Sequence, residues 1–205
     1  MSVDLVPSQE SVMEILKSTG AYRKGHFIYP NGKHASHYFQ MPLAFRYYDN
    51  ARILSVGLSR MFRMEKSISS RLPKVSVISP SPGGIMVAFG VREALSAEQI
   101  YWAEMEDGKR QFRQYMSETD VYPVIIVDDI IRSGKAIMET IDLCREINAE
   151  VIGIGAIARF EDGPKDFEGI PVKSLLTFDV NFYESENEWK TSRNASDAEE
   201  EKVRF

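Results

Sequence analysis

Two hydrophobic patterns divide the chain: short unbroken apolar runs, which suit strands buried on both faces, and apolar positions at helical spacing. Ser8 is a good N-cap, and Val12, Met13, Ile15 and Leu16 supply an apolar face before Gly20, which predicts a first helix. Residues 21–41 read as strand, turn and strand, with Pro30-Asn31-Gly32 as the turn. A helix follows over 49–64, where Ile53, Val56, Leu58, Met61 and Phe62 lie mostly on one side. After the polar stretch 67–74, strands are predicted at 75–78, 100–104, 124–127, 151–157 and 172–178. Helices are predicted at 85–95 and 136–147 between them. From Asn181 the composition turns charged, and 197–202 reads as a solvated tail or terminal helix.

Strands alternating with helices predict an α/β fold, a parallel sheet of about five strands between helices with ligands at the strand carboxyl ends. The organisation expected is an N-terminal helix, hairpin and covering helix over 1–66, an α/β core over 67–180 and a charged segment over 181–205, all one structural domain.

Composition narrows the partners. A hydrophobic fraction of 43% supports a sizeable core, and a net charge of −5 argues against nucleic acid or an anionic membrane as partner of the bulk surface. Cys144 is the sole cysteine, which excludes an internal disulfide and a cysteine metal cluster. There is no leader-like start and no apolar run long enough to span a bilayer, so a cytoplasmic protein is expected. The Asn194-Ala195-Ser196 sequon then reads as chance.

The chemistry concentrates where apolar runs stop. Val124, Ile125, Ile126 and Val127 are followed by Asp128 and Asp129, then Ile130, Ile131, Arg132, Ser133, Gly134, Lys135 and Ala136. Acids at a strand end beside a helix N-terminus set acceptors for sugar hydroxyls next to N–H donors for a phosphate. A Walker-type loop is excluded, because Asp129 stands where the partner glycine is required and Ala136 where a metal-binding hydroxyl is required. A second anion loop is Ser79-Pro80-Ser81-Pro82-Gly83-Gly84, where glycines let backbone approach an anion closely. A third stretch, 105–113, places Lys109, Arg110 and Arg113 around Gly108, in position to close over an anionic leaving group.

The run 124–136 resembles the 5-phosphoribosyl-1-pyrophosphate (PRPP) signature of type I phosphoribosyltransferases. Residues 20–27 (Gly-Ala-Tyr-Arg-Lys-Gly-His-Phe), with Gly32-Lys33-His34 and Tyr38-Phe39-Gln40, look like the N-terminal hood of orotate phosphoribosyltransferases. The resemblance implies a type I phosphoribosyltransferase core with that hood. It implies transfer of the 5-phosphoribosyl group from Mg²⁺-bound PRPP to orotate, giving orotidine 5-phosphate and pyrophosphate. Asp128 and Asp129 would hold the ribose hydroxyls, Arg132 to Ala136 the 5-phosphate, with Ile130 and Ile131 in the same PRPP-binding run, and Ser81, Pro82, Gly83 and Gly84 the pyrophosphate. Lys109 and Arg113 would close the site, while Arg159, Tyr38, Phe39 and Arg132 would meet the base. Mg²⁺ would be carried mainly by PRPP near the two acids, and a homodimer would share the mobile loop.

Four positions depart from the family pattern. Pro30 replaces a common Lys, Met105 and Gln114 replace arginines of the catalytic loop, and Arg132 replaces a Thr. Two alternatives therefore stay open: a phosphoribosyltransferase for another base, favoured by Arg132 and Pro30, and a non-catalytic PRPP- or nucleotide-binding regulator, favoured by Met105 and Gln114. His26, His34 and His37 invite a metal reading, but without a recognisable fourth ligand they read better as hairpin surface or hood packing.

Overall fold

The computed structural model describes residues 6–29, 31–113, 121–192 and 200–202. Pro30, Gln114 and the 194–196 sequon lie outside them.

A seven-stranded sheet runs through the centre. Its five middle strands are parallel: β3 (Ser76–Ser79), β4 (Gln99–Glu106), β6 (Val124–Ile131), β7 (Val151–Phe160) and β9 (Ile170–Phe178), in the spatial order β4-β3-β6-β7-β9. The antiparallel strands β5 (Lys109–Phe112) and β8 (Asp166–Phe167) close its two edges. The α/β expectation of about five parallel strands is met, and the short edge strands are additions that carry no periodic signal.

Alternation along the buried strands builds two cores, as residues i and i+1 point to opposite faces. Val77, Ile125, Val127 and Ile157 meet Leu54, Leu58 and Phe62 of α3 (Tyr48–Arg63) and Val87, Ala88 and Val91 of α5 (Ile85–Leu95). Ile78, Val124, Ile126 and Ile154 meet Ile137, Ile141 and Cys144 of α6 (Lys135–Glu146). Each fully buried Val or Ile of this set stabilises the fold by about 1.5–3 kcal/mol relative to exposure. Burial pushes the Cys144 thiol up to about 12, which makes it a packing residue rather than a nucleophile.

Helix α1 (Gln9–Ser18) starts at Ser8, whose hydroxyl accepts from the Ser11 amide, and the chain leaves it through Gly20 at φ +74°. The hairpin follows as β1 (Tyr22–Ile28) and β2 (His34–Phe39), then the short helix α2 (Pro42–Phe45). The polar stretch after α3 contains one more short helix, α4 (Lys66–Ser69), which buries Ile68.

The charged C-terminal segment is not simply a solvated tail. Strand β10 (Phe182–Tyr183) pairs with β2, and α7 (Glu186–Thr191) buries Trp189, whose Nε1 donates to Ser36 Oγ at 2.9 Å. Of the 197–202 stretch expected as tail or helix, 197–199 lie outside the described residues, and β11 (Glu200–Lys202) pairs in parallel with β1. A buried indole and two strand pairings outweigh the unfavourable local composition. The hood sheet is thus β10-β2-β1-β11.

Candidate active site

Strand β6 carries the first group of site residues. It continues beyond the apolar run through both acids to Ile131, so Asp128 and Asp129 sit on regular strand. Asp128 is buried and accepts from Ser81 Oγ at 2.7 Å and from the Asp129 amide at 3.0 Å. Asp129 Oδ1 accepts from the Ile130 amide at 2.8 Å. Burial pushes the Asp128 carboxyl well above the usual carboxylate range and the charge of Asp129 pushes it further, against the Ser81 hydrogen bond. Burial also raises Asp129, opposed by the Ile130 amide.

Past β6 the chain turns through Gly134, at φ +73°, into α6. Asp128 and residues 130–137 line a cleft of about 150 Å³. Its floor is the start of a 12-residue helix, whose first amides have no intrahelical acceptor and favour an anion. Arg132, Ser133 and Lys135 are exposed at the rim.

The second loop lies against the acids. Ser81 caps a single 3-10 turn (Pro82–Gly84) that leads into α5. A Cβ on Gly83 would stand 2.8 Å from Asp129 Oδ2, and one on Gly84 would stand 2.6 Å from Asp128 Oδ1. Glycine is required here for close approach, and the two anion loops found separately in the sequence form one surface.

The 105–113 stretch is a hairpin: β4 extends to Glu106, turns at Asp107-Gly108, and returns as β5. Lys109 is exposed, and Arg113 pairs with Glu106 at 2.9 Å and Glu104 at 3.7 Å. Met105 is exposed on β4 opposite Arg110. Arg110, one of the three loop cations, pairs with Glu139 of α6 and donates to the Pro80 carbonyl.

On the base side, Arg159 lies within β7 rather than past its end, because the strand runs to Phe160. It is buried, and its Nη1 donates to the carbonyls of Phe160 at 2.8 Å and Gly163 at 3.0 Å. Tyr38 is buried against Phe27 and Tyr29, whereas Phe39 stacks on Phe178 at 4.1 Å. As neighbours on β2 they point to opposite faces, so they are not one stacking platform. The Arg132 guanidinium lies 3.7 Å from the Phe182 ring centre. This contact had no sequence signal, since Phe182 is 50 residues away in the charged segment.

The histidines belong to the hood. His26 Nε2 and His34 Nδ1 are 2.7 Å apart, and the His26 ring stacks on Trp189 at 3.7 Å. His37 stacks on Tyr22. Among the described residues, no group of three or more His, Cys, Asp or Glu side chains is arranged to hold a metal.

No protein-family model matches the chain. It is 32% identical over 178 residues to the orotate phosphoribosyltransferase of Caldanaerobacter subterraneus subsp. tengcongensis, covering 87% of this chain and 89% of that one. It is 31% identical over 176 residues to that of Thermotoga petrophila, covering 86% and 89%. Among solved structures, orotate phosphoribosyltransferase from Aeropyrum pernix superposes with a TM-score of 0.66 at 20% identity, over 81% of this chain and 93% of that one. A phosphoribosyltransferase from Corynebacterium diphtheriae superposes with a TM-score of 0.61 at 18% identity, over 82% and 95%. With sequence identity sustained along nearly the whole of both chains, this chain belongs to the orotate phosphoribosyltransferase family of type I phosphoribosyltransferases.

Proposed function

We propose that the chain transfers the 5-phosphoribosyl group of PRPP to N1 of orotate. The bond from ribose C1 to pyrophosphate oxygen breaks, the N1–C1 bond forms as N1 gives up its proton to solvent, and pyrophosphate leaves with the electron pair. The observation that carries this reading is the contact of the two anion loops across the acid pair, Ser81 Oγ to Asp128 at 2.7 Å. A substrate with a phosphate at one end, a pyrophosphate at the other and hydroxyls between them fits that order. Asp128 and Asp129 accept from the ribose hydroxyls, residues 132–136 hold the 5-phosphate, and Ser81, Pro82, Gly83 and Gly84 hold the pyrophosphate. Lys109 and Arg113 then cover the leaving group, so catalysis rests on positioning and fixed charge.

Mg²⁺ fits this site as a passenger of PRPP: two carboxylates offer hard oxygen donors, and an ion that keeps most of its shell on substrate and water needs no protein cage. When bound it neutralises charge on the pyrophosphate. Arg159 supplies the base contact through Nε and Nη2, since its bonds to the turn run through Nη1, and a planar guanidinium suits a carboxylate. Phe39 and Arg132 flank the base.

The test is pyrophosphate release from PRPP and Mg²⁺ with orotate or other bases, on wild type and Arg159→Ala. Orotate-dependent release, with KM for orotate raised about 10-fold or more in Arg159→Ala and PRPP binding kept, is expected. Release with another base alone would move the substrate. Met105 favours a second reading, a PRPP-binding regulator, because a thioether cannot make the guanidinium's charge-assisted contact. Saturable PRPP binding without release would establish that reading.

The assembly is a homodimer through the groove between α3 and α5, about 630 Å³ and lined by Phe45, Tyr48, Val56, Met86 and Phe89. Tyr48 is 77% and Phe89 49% exposed, an apolar surface that self-association would cover. Helix α5 starts directly after Gly84, so this contact brings a second subunit beside the pyrophosphate loop. Sedimentation is expected to give twice the chain mass and Phe89→Asp to give monomer; a wild-type monomer at micromolar concentration would remove the dimer. Hood, core and C-terminal segment act as one structural domain in each subunit, which we place in the cytoplasm. Among the described residues no helix is long and apolar enough to cross a membrane.

A further inference from the structure

Arg110 is the most enclosed cation of the loop hairpin, with its side chain 10% exposed. Alternation along β5 turns Arg110 and Phe112 toward the body of the protein and Lys109 and Gln111 outward. The Arg110 Nε donates to Glu139 Oε2 at 2.9 Å, and its Nη1 donates to the carbonyl of Pro80. Glu139 places its other oxygen 3.6 Å from Lys135 Nζ, at the first turn of α6. Pro80 immediately precedes Ser81, which donates to Asp128. One guanidinium therefore joins the hairpin, the pyrophosphate loop and the helix that ends the phosphate loop. Only a planar fork meets a carboxylate and a carbonyl together, which a lysine's point charge does not reproduce.

We infer that Arg110 and Glu139 form a positioning pair that sets the hairpin bearing Lys109 and Arg113 at its working distance from the pyrophosphate loop. The inference rests on the transferase reading above. Neither residue touches substrate: Arg110 acts through the backbone of Pro80 and through its own strand, and Glu139 acts through Arg110 and Lys135. A displacement near 1 Å at such a site lowers turnover by about 100-fold.

The test compares Arg110→Met, Arg110→Lys, Glu139→Gln and the double variant Arg110→Met/Glu139→Met with wild type. Arg145→Met, which removes an exposed cation paired with Asp142 and Glu168, serves as the surface control. Steady-state kinetics, PRPP binding and thermal melting are measured on each, with rates taken below the melting range. Arg110→Met is expected to lower kcat about 100-fold with KM for orotate within about twofold, and Arg110→Lys to recover about a tenth of the wild-type rate. The double variant is expected to be no worse than Arg110→Met, as residues acting as a unit are not additive. Lower melting temperature with kcat unchanged, or additive losses, would overturn the pair. If wild type releases no pyrophosphate with any base, the transferase reading fails on its own. PRPP binding then decides: about 10-fold weaker binding by Arg110→Met supports the pair, and equal binding overturns it. Should Arg110→Met not fold, Glu139→Gln keeps the shape and an acceptor; a severalfold loss of kcat supports the pair and an unchanged kcat overturns it.

Discussion

Asp128→Asn is expected to lose transferase activity and to melt at a higher temperature than wild type. Both effects have one source, two neighbouring carboxylates held out of water. Burial and the Asp129 charge push the Asp128 carboxyl well above its ordinary value of 3.8, and burial raises Asp129 as well. The folded chain therefore binds more protons than the unfolded chain between the ordinary value and the raised one. The pair's own contribution to stability is fullest below 3.8 and falls as pH rises through that window, because ionising the pair is harder in the fold than in water. Asparagine keeps an oxygen that accepts from Ser81 and the Asp129 amide, and adds an N–H that can donate to the remaining carboxylate. The stability gap between variant and wild type is thus expected to be small in acid and to widen toward neutral pH. Denaturant unfolding across that range measures it, with each kcal/mol regained worth roughly 2–4 °C for a chain of this size. A variant no more stable than wild type at neutral pH would show that the pair is not under this load. The activity loss, about 100- to 1000-fold in kcat, follows from losing a charged acceptor where the substrate develops positive charge. With Asp128 and Asp129 accepting from the ribose hydroxyls as proposed, PRPP binding by wild type should strengthen as pH rises through the raised values, since an ionised carboxylate is the stronger acceptor.

The sequence shows those acids plainly, and the reason is physical. A buried strand demands apolar residues at every position, so Asp128 and Asp129 stand out where β6 reaches the sheet's carboxyl edge. The same holds for Gly83 and Gly84, where any side chain would enter the acids. What stays hidden are contacts between distant residues. Arg110 reads only as one of three loop cations and Glu139 carries no signal of its own, and only the antiparallel return of β5 brings them together. Phe182 gives no hint of its place over Arg132, because a two-residue strand has no period to read. Helix α7 had a signal that charged composition masked: Ser185 three residues before Glu188 is a capping sequence, and the Ser185 hydroxyl accepts from the Glu188 amide at 3.2 Å. Arg159 and Phe160 after an apolar run suggest a strand end, whereas pairing of Arg159 with Ile131 and Thr177 keeps it in the sheet.

Gly134→Ala is expected to be among the most damaging single-methyl changes in the molecule, and Gly20→Ala shows why by contrast. Both glycines leave the backbone in the left-handed region, at φ +73° and +74°. That conformation alone costs a side-chain-bearing residue about 1–2 kcal/mol. At Gly20 nothing lies within 4 Å of the added carbon, so the backbone cost is the whole effect. At Gly134 the carbon would stand 2.5 Å from Phe167 Cζ and 2.7 Å from Pro164 Cγ. Phe167 is itself buried in the core beneath α6 and has little room to retreat. Overpacking of this kind adds about 1–3 kcal/mol, for a total of roughly 2–5 kcal/mol against 1–2 at Gly20. The cheapest relief is for the turn to move, and that turn carries the amides that would hold the 5-phosphate. Gly134→Ala should therefore weaken PRPP binding at least about 10-fold while Gly20→Ala leaves it alone, since anion binding at a helix N-terminus depends on amide direction. Combining Gly134→Ala with Phe167→Leu removes the ring edge and should recover part of the lost affinity despite the core volume given up. If Gly134→Ala and Gly20→Ala cost the same and both bind PRPP like wild type, the packing of Phe167 and Pro164 beneath the phosphate loop does not hold that loop in place.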